Sequence, residues 1–272
     1  MFATAVIVFR EVIEAALIVA IVLGASRGIA GRGRWVSAGI GLGLMGAGMV
    51  AIFADVITSA FSGNGQALLN AGVLLAAVGM LAWHNIWMSS HGRELAAEVK
   101  QVGHDVETGA RPLTALLVVT LVAVMREGSE VVLFLWALGT TGSAASMLLG
   151  GLLGLAAGAL VGVLMYRGLL KVPLRYFFTV TGWLVLLIAA GLAAQAAAFL
   201  NQAGWLPALG QSLWDSSRLL DQASIPGKLL HTLIGYTARP SGIQLLFYVA
   251  TLCTILGLMR WVGRRHLAAR AS

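Results

Sequence analysis

The chain has 272 residues, of which 59% are hydrophobic and 11% charged, and its mean hydropathy of +0.89 reflects more apolar surface than one water-soluble core can bury. The formal net charge of +7 does not indicate nucleic acid, because most basic residues flank apolar runs and form no stripe interleaved with aromatics. The one cysteine, Cys253, lies inside a late apolar run, which excludes a disulfide framework and a thiolate metal motif.

A hydrocarbon core about 30 Å thick requires about 20 apolar residues per helix, and seven windows of that kind follow one another. They run from Phe2 to Gly24, Trp35 to Phe61, Gln66 to Ser89, Leu113 to Leu138, Ser146 to Leu170, Tyr176 to Leu200 and Ser241 to Trp261. The first has no basic n-region and carries Arg10, Glu11 and Glu14 in mid-run, so it reads as a retained helix and not as a signal peptide. The second is rich in glycine, with Gly39, Gly41, Gly43, Gly46 and Gly48. After the third, residues 91–112 mix Glu94, Glu98, Asp105 and Glu107 with basic residues, the pattern of a solvated helix. The fourth holds Arg126, Glu127 and Glu130; the fifth spaces Gly154, Gly158 and Gly162 as a small-xxx-small packing face. Residues 62–65 and 139–145 are short polar turns. Residues 201–240 contain two patterned pieces broken by Pro226-Gly227, which read as short interfacial or re-entrant helices.

The alternating loops divide Lys and Arg unequally. Arg27, Arg32, Arg34, Arg93, Lys100, Arg111, Arg167, Lys171, Arg175, Arg260, Arg264, Arg265 and Arg270 fall on one side, and Arg218, Lys228 and Arg239 on the other. The positive-inside rule makes the first side cytoplasmic. The N-terminus is then outside and the C-terminus inside, as seven spans require.

FREVIEAALIV and MREGSEVVLFL align at a constant offset of 116, pairing Arg10 with Arg126, Glu11 with Glu127, Glu14 with Glu130 and Leu17 with Leu133. With two spans between them, the two motif helices enter from opposite sides. The fold class expected is therefore all-α: a polytopic membrane protein of seven transmembrane helices, a three-plus-three inverted-topology repeat with a seventh helix added. Its parts are a first three-helix repeat (1–90), a cytoplasmic loop (91–112), a second repeat (113–200), an external segment (201–240), and the seventh helix with its tail (241–272).

Each mid-bilayer charge costs about 2.5–3.5 kcal/mol on insertion scales, so a cluster of three costs roughly 8–10 kcal/mol. At 100° per residue, Glu11 and Glu14 stand about 60° apart and Arg10 and Glu14 about 40° apart, which puts two carboxylates and a guanidinium on one helix face. The same holds for Arg126, Glu127 and Glu130. Bringing the helices together gives four carboxylates with Arg10 and Arg126 as counter-ions. Oxygen donors suit hard cations, and ferric iron suits carboxylates best among those considered. The competing reading is a structural ion pair in each helix, which leaves Glu11 and Glu127 without a purpose.

Secondary candidates for the pathway are Asp55, His84, Asp215 and Asp221. Asp55 is equally a snorkelling interfacial acid, His84 a hydrogen-bonded packing residue, and Asp215 and Asp221 part of a solvated face. No Ser-His, paired-Asp or HExxH constellation is present, so no catalytic residue is assigned and an enzyme is not expected.

At the two motifs the sequence resembles the oxidase-dependent iron permeases, the high-affinity iron transporters of fungi and their bacterial counterparts. Their hallmark is Arg-Glu-Gly-Leu-Glu in the first and fourth membrane helices. The fourth helix here reads Arg126-Glu127-Gly128-Ser129-Glu130 and the first Arg10-Glu11-Val12-Ile13-Glu14; Val12 stands where the hallmark has glycine. Further stretches that carry the resemblance are Trp83-x-x-x-Trp87-Met88, Ala189 to Ala194, and Gly235-Tyr236. The resemblance implies uptake of iron ions across the cytoplasmic membrane, with Glu11, Glu14, Glu127 and Glu130 binding the ion. Iron is then cargo and no cofactor is implied. It also implies an extracytoplasmic oxidase or iron-binding protein as donor. The alternatives are a permease for another divalent cation, such as manganese or lead, and an iron-sensing membrane protein.

Overall fold

The computed structural model describes residues 1–60, 66–139, 143–168, 174–206, 209–222 and 224–271; side chains at 55, 57–60, 88–93, 174–178, 225, 232 and 263–271 are outside this set. The turns expected at 62–65 and, in its central part, at 139–145 lie outside the described residues. The described chain is helical: α1 (Phe2–Ala25), α2 (Arg32–Ala60), α3 (Gln66–Glu107), α4 (Thr114–Gly139), α5 (Ala144–Tyr166), α6 (Leu174–Gln202), α7 (Ile225–Ile234) and α8 (Gly242–Ala271).

Stretches of α2, α3, α5, α6 and α8 are long and apolar enough to cross a membrane. The expected count was seven. The other two helices, α1 and α4, have 24 and 26 residues, or about 36 and 39 Å at 1.5 Å per residue. They have the length, and each departs from an apolar span through its three central charges.

Helices consecutive in sequence are not the main packing partners. The principal pairs are α2 with α4, α1 with α5, α3 with α6 and α6 with α8. Glycine decides the first two. The buried positions of α5 are Gly150, Gly154, Gly158 and Gly162, one per turn, while leucines of the same helix such as Leu148 and Leu152 face outward. A Cβ on Gly154 would lie 2.5 Å from the Ala5 carbonyl oxygen, and one on Gly158 2.8 Å from Val12 Cγ1. On the other side, a Cβ on Gly39 would lie 2.7 Å from the Leu117 carbonyl oxygen, and one on Gly43 2.8 Å from Val124 Cβ. Close backbone approach of this kind supplies dispersion contact where lipid removes the hydrophobic drive between helices.

α1 and α4 run antiparallel. Ala3 and Ile7 at the start of α1 share a cluster with Phe134, Ala137 and Leu138 at the end of α4, while Ile18 and Val22 share another with Leu116 and Ala123. The motifs of both helices lie between the two clusters.

The solvated helix expected after the third span is a continuation of α3, which runs unbroken to Glu107; Val99, Gly103 and Val106, spaced by four and three, are buried, with Gly103 against Ala25 at the end of α1. In 201–240, Pro226-Gly227 does not break a helix but starts one. Ser224 caps α7 by accepting from the Gly227 N–H at 3.1 Å, and Pro226 sits in the first turn, where its missing N–H is harmless. The piece around Leu213 and Leu220 is not helical. There Ser217 N–H donates to the Asp215 side chain, an Asx-type turn that competes with helix, and Leu213 and Ser216 donate to the carbonyls of Pro240 and Ala238.

Candidate metal site

The helical spacing that puts Arg10, Glu11 and Glu14 on one face of α1 points that face into the bundle, where all three are at most 3% exposed. Glu127 is equally buried; Glu130 is 14% and Arg126 34% exposed. The fifth element of the site comes from α3. His84 enters between the two motifs with its ring buried, and it touches both. Its Nε2 lies 3.1 Å from Glu14 Oε2 and 3.9 Å from Glu11 Oε2, and its Nδ1 lies 2.5 Å from Glu130 Oε2.

The two arginines are held differently. Arg10 Nε donates to Glu14 Oε1 at 2.9 Å. Arg126 Nε is 3.4 Å from Glu130 Oε1 and 3.8 Å from Glu127 Oε1, and its guanidinium lies over the Trp87 ring at 4.4 Å. His84 and Trp87 are three apart on α3, so one face of that helix supplies the imidazole and the stacking ring.

One ligand atom each from Glu11, His84, Glu127 and Glu130 lies within 4.8 Å of the others. With bonds of about 2.1 Å, donors to one ion stand roughly 3–4 Å apart, so side-chain adjustments on the order of 1 Å would close the set on an ion. Both oxygens of Glu11 and Oε2 of Glu127 are buried without a hydrogen-bond partner among the described residues, while Oε2 of Glu130 faces Nδ1 of His84. A buried carboxylate lacking hydrogen bonds is costly, and three carboxylates gathered around one imidazole make a pocket suited to a cation.

Three of the four expected carboxylates belong to that group of four. Glu11, Glu127 and Glu130 converge, while Glu14 is engaged by Arg10 and His84 and lies outside that group of four. His84, a pathway candidate on sequence, stands with them in a group that could hold a metal ion. The sequence signal for it was a histidine three residues before a tryptophan in an apolar helix, without anything to say which way the face pointed. Asp55 lies in α2, with its side chain outside the described residues. Asp215 is exposed, hydrogen-bonded by Ser217 and paired with Arg239 at 2.9 Å; the Ser217 hydrogen bonds first, and then Arg239, hold its carboxyl below the usual range. Asp221 is exposed and offers its backbone carbonyl to Ser224.

A cavity of about 450 Å³ opens where the start of α1, the end of α4, α6 and α7 meet. Thr4, Leu138, Gln195 and His231 are on its wall. Ile7 and Phe134, each 1% exposed, stand one turn before Glu11 on α1 and one turn after Glu130 on α4.

The model of the Iron permease FTR1 family matches residues 1–264. The ferrous iron permease EfeU of Escherichia coli O157:H7 is 33% identical over 246 residues, which cover 89% of this chain and 88% of the relative. The ferrous iron permease EfeU of Yersinia pestis is 30% identical over 253 residues, 91% of this chain and 89% of the relative. No solved structure gives a significant match.

Proposed function

The chain belongs to the Iron permease FTR1 family, and on that ground we propose that it carries ferrous iron into the cytoplasm through the Glu11, His84, Glu127 and Glu130 site. The observation that carries this reading is the set of ligand atoms that three helices bring within 4.8 Å of one another inside the bundle. The donors are mixed: three carboxylates with one imidazole. Imidazole suits iron, zinc, copper and nickel, whereas magnesium and calcium favour all-oxygen shells. The set is accordingly better matched to ferrous iron than to a hard ion alone, in line with the names of the relatives. Glu14 serves as the partner that fixes Arg10 and the His84 ring.

The membrane is the cytoplasmic membrane, spanned seven times with α1 and α4 included, the N-terminus outside and the C-terminus inside. The charge asymmetry of the loops supports that orientation. The inverted repeat is supported by matched packing. Gly39 meets Leu117 and Thr120 where Gly150 meets Met1 and Thr4, and Gly43 meets Leu121, Val124 and Met125 where Gly154 meets Ala5, Val8 and Phe9. Each pair of neighbours is 116 apart. The site lies on the axis relating the two units, as in other transporters built this way. Iron arrives from an extracytoplasmic oxidase or iron-binding protein.

The test is uptake of ferrous iron by proteoliposomes containing this chain alone. Glu11→Gln and Glu127→Gln are expected to insert normally and to lose uptake. Wild-type uptake by both variants would overturn the assignment.

A further inference from the structure

Thr4 and Thr120 are 116 residues apart, like the paired motif residues, and each stands seven residues before the first glutamate of its motif. Seven residues are about two turns and about 10 Å, and bring a side chain back to within about 20° of the same face. Because α1 and α4 are antiparallel, the two threonines flank the carboxylate cluster from opposite sides. Thr4 is on the cavity wall. Thr120 is completely buried, with its Cβ against Gly39.

The Thr120 hydroxyl has no hydrogen-bond partner among the described residues. This is unusual, since a helical threonine has the carbonyl four residues earlier within reach and a buried unpaired hydroxyl is destabilising. Valine has almost the same shape and would fill the position without that cost. Between each threonine and the cluster lies an apolar step: Ile7 and Phe134 on the cavity side, Ala123 and Ile18 on the other. Ile7 matches Ala123 and Ile18 matches Phe134 at the same offset of 116.

We propose that Thr120 is an ion-relay residue on the far side of the carboxylate site, its hydroxyl oxygen receiving the ferrous ion after the Ala123 and Ile18 step, with Thr4 as its counterpart at the cavity. The proposal rests on the transport reading given above and adds to it the path by which the ion leaves. A divalent cation crossing an apolar step between water and the site is short of oxygen donors, and a hydroxyl supplies one without the charge that would hold the ion too tightly. The structure is then a closed form with one threonine facing a cavity and the other sealed against α2.

The experiment uses the full chain in detergent and in proteoliposomes, with ferrous iron kept reduced as the probe, and compares wild type, Thr120→Val, Thr120→Ser and Glu127→Gln. Binding at equilibrium and initial uptake are both measured. Thr120→Val is expected to bind iron as the wild type does while uptake falls about tenfold or more, the worth of one hydrogen-bonding group facing a charge; Thr120→Ser recovers most of the rate. Uptake at the wild-type rate in Thr120→Val overturns the proposal. Equal loss of binding and uptake in Thr120→Val also overturns it, because the hydroxyl would then be supporting the site and not the path. Failure of the site reading is seen separately, as normal binding and uptake by Glu127→Gln, and it removes the basis of the relay as well.

Discussion

The Arg126 guanidinium rests on the Trp87 indole, 4.4 Å from the ring centroid, whereas Arg10, its counterpart in the other motif, is buried and locked to Glu14 at 2.9 Å. The two motif arginines are therefore held unequally. One is fixed, and the other is held partly by a ring that competes with the carboxylates for it.

Removing the ring should let Arg126 close on Glu127 and Glu130 and compete with iron. A cation–π contact is worth about 0.5–2 kcal/mol, so Trp87→Ala is expected to weaken iron binding by about 2- to 30-fold. Equilibrium binding to the purified protein measures this. Unchanged affinity would show that the stack does not restrain Arg126.

Truncating the arginines should separate stability from function. Arg10→Ala leaves Glu14 buried beside His84 without its cation, a loss of about 3–5 kcal/mol for a broken buried pair. Arg126→Ala, at a 34% exposed position, is expected to cost clearly less. Thermal unfolding in detergent should rank Arg10→Ala well below Arg126→Ala.

Val12 replaces the hallmark glycine, and the structure shows what accommodates it. Val12 packs against Gly158, and in the related contact Gly128 packs against Ala47; the bulk has changed sides. Gly158→Ala should overpack this contact and cost about 1–3 kcal/mol. Val12→Gly combined with Gly158→Ala should recover most of the loss. A double-mutant cycle on unfolding free energies measures the coupling, and additive effects would refute the exchange.

Asp215 is hydrogen-bonded by Ser217 and paired with Arg239, so Asp215→Asn should leave iron uptake at neutral pH unchanged. Its carboxyl titrates below the usual value. A depressed folded-state pKa stabilises the fold above the unfolded value of about 3.9 and loses that contribution as the pH falls through the folded value. Asp215→Asn should therefore reduce the difference in stability between neutral pH and about pH 3, read from unfolding midpoints. A marked fall in uptake at neutral pH would return Asp215 to the pathway.

The helices were legible in the sequence because an apolar window of bilayer length, punctuated by charge and glycine, leaves few alternatives. α1, α4 and α6 begin and end within about two residues of the expected windows. The charged faces were legible too, since 3.6-residue periodicity fixes which side chains share a side. What periodicity does not encode is the rotation of a third helix. His84 enters the site because α3 packs against α1, α4 and α6 together, a tertiary outcome. The run to Glu107 was hidden for the same reason: Val99, Gly103 and Val106 read as a thin stripe in polar sequence until the end of α1 supplies a surface for them. At 213–220 a helical pattern yielded to side-chain-to-backbone hydrogen bonds, a local competition that hydrophobic spacing does not register.

α3 is 42 residues long, about 63 Å end to end, roughly twice the thickness of the apolar slab. It places His84 among the carboxylates and, about 28 Å further along at Gly103, rests against the end of α1. That makes it a lever. A tilt of about 2° pivoted near Gly103 displaces the imidazole by about 1 Å, the order of the adjustment that would close the donors on an ion of ordinary bond length. A reporter attached to the far arm of the rod would thus register, from the water, whether the buried imidazole is engaged.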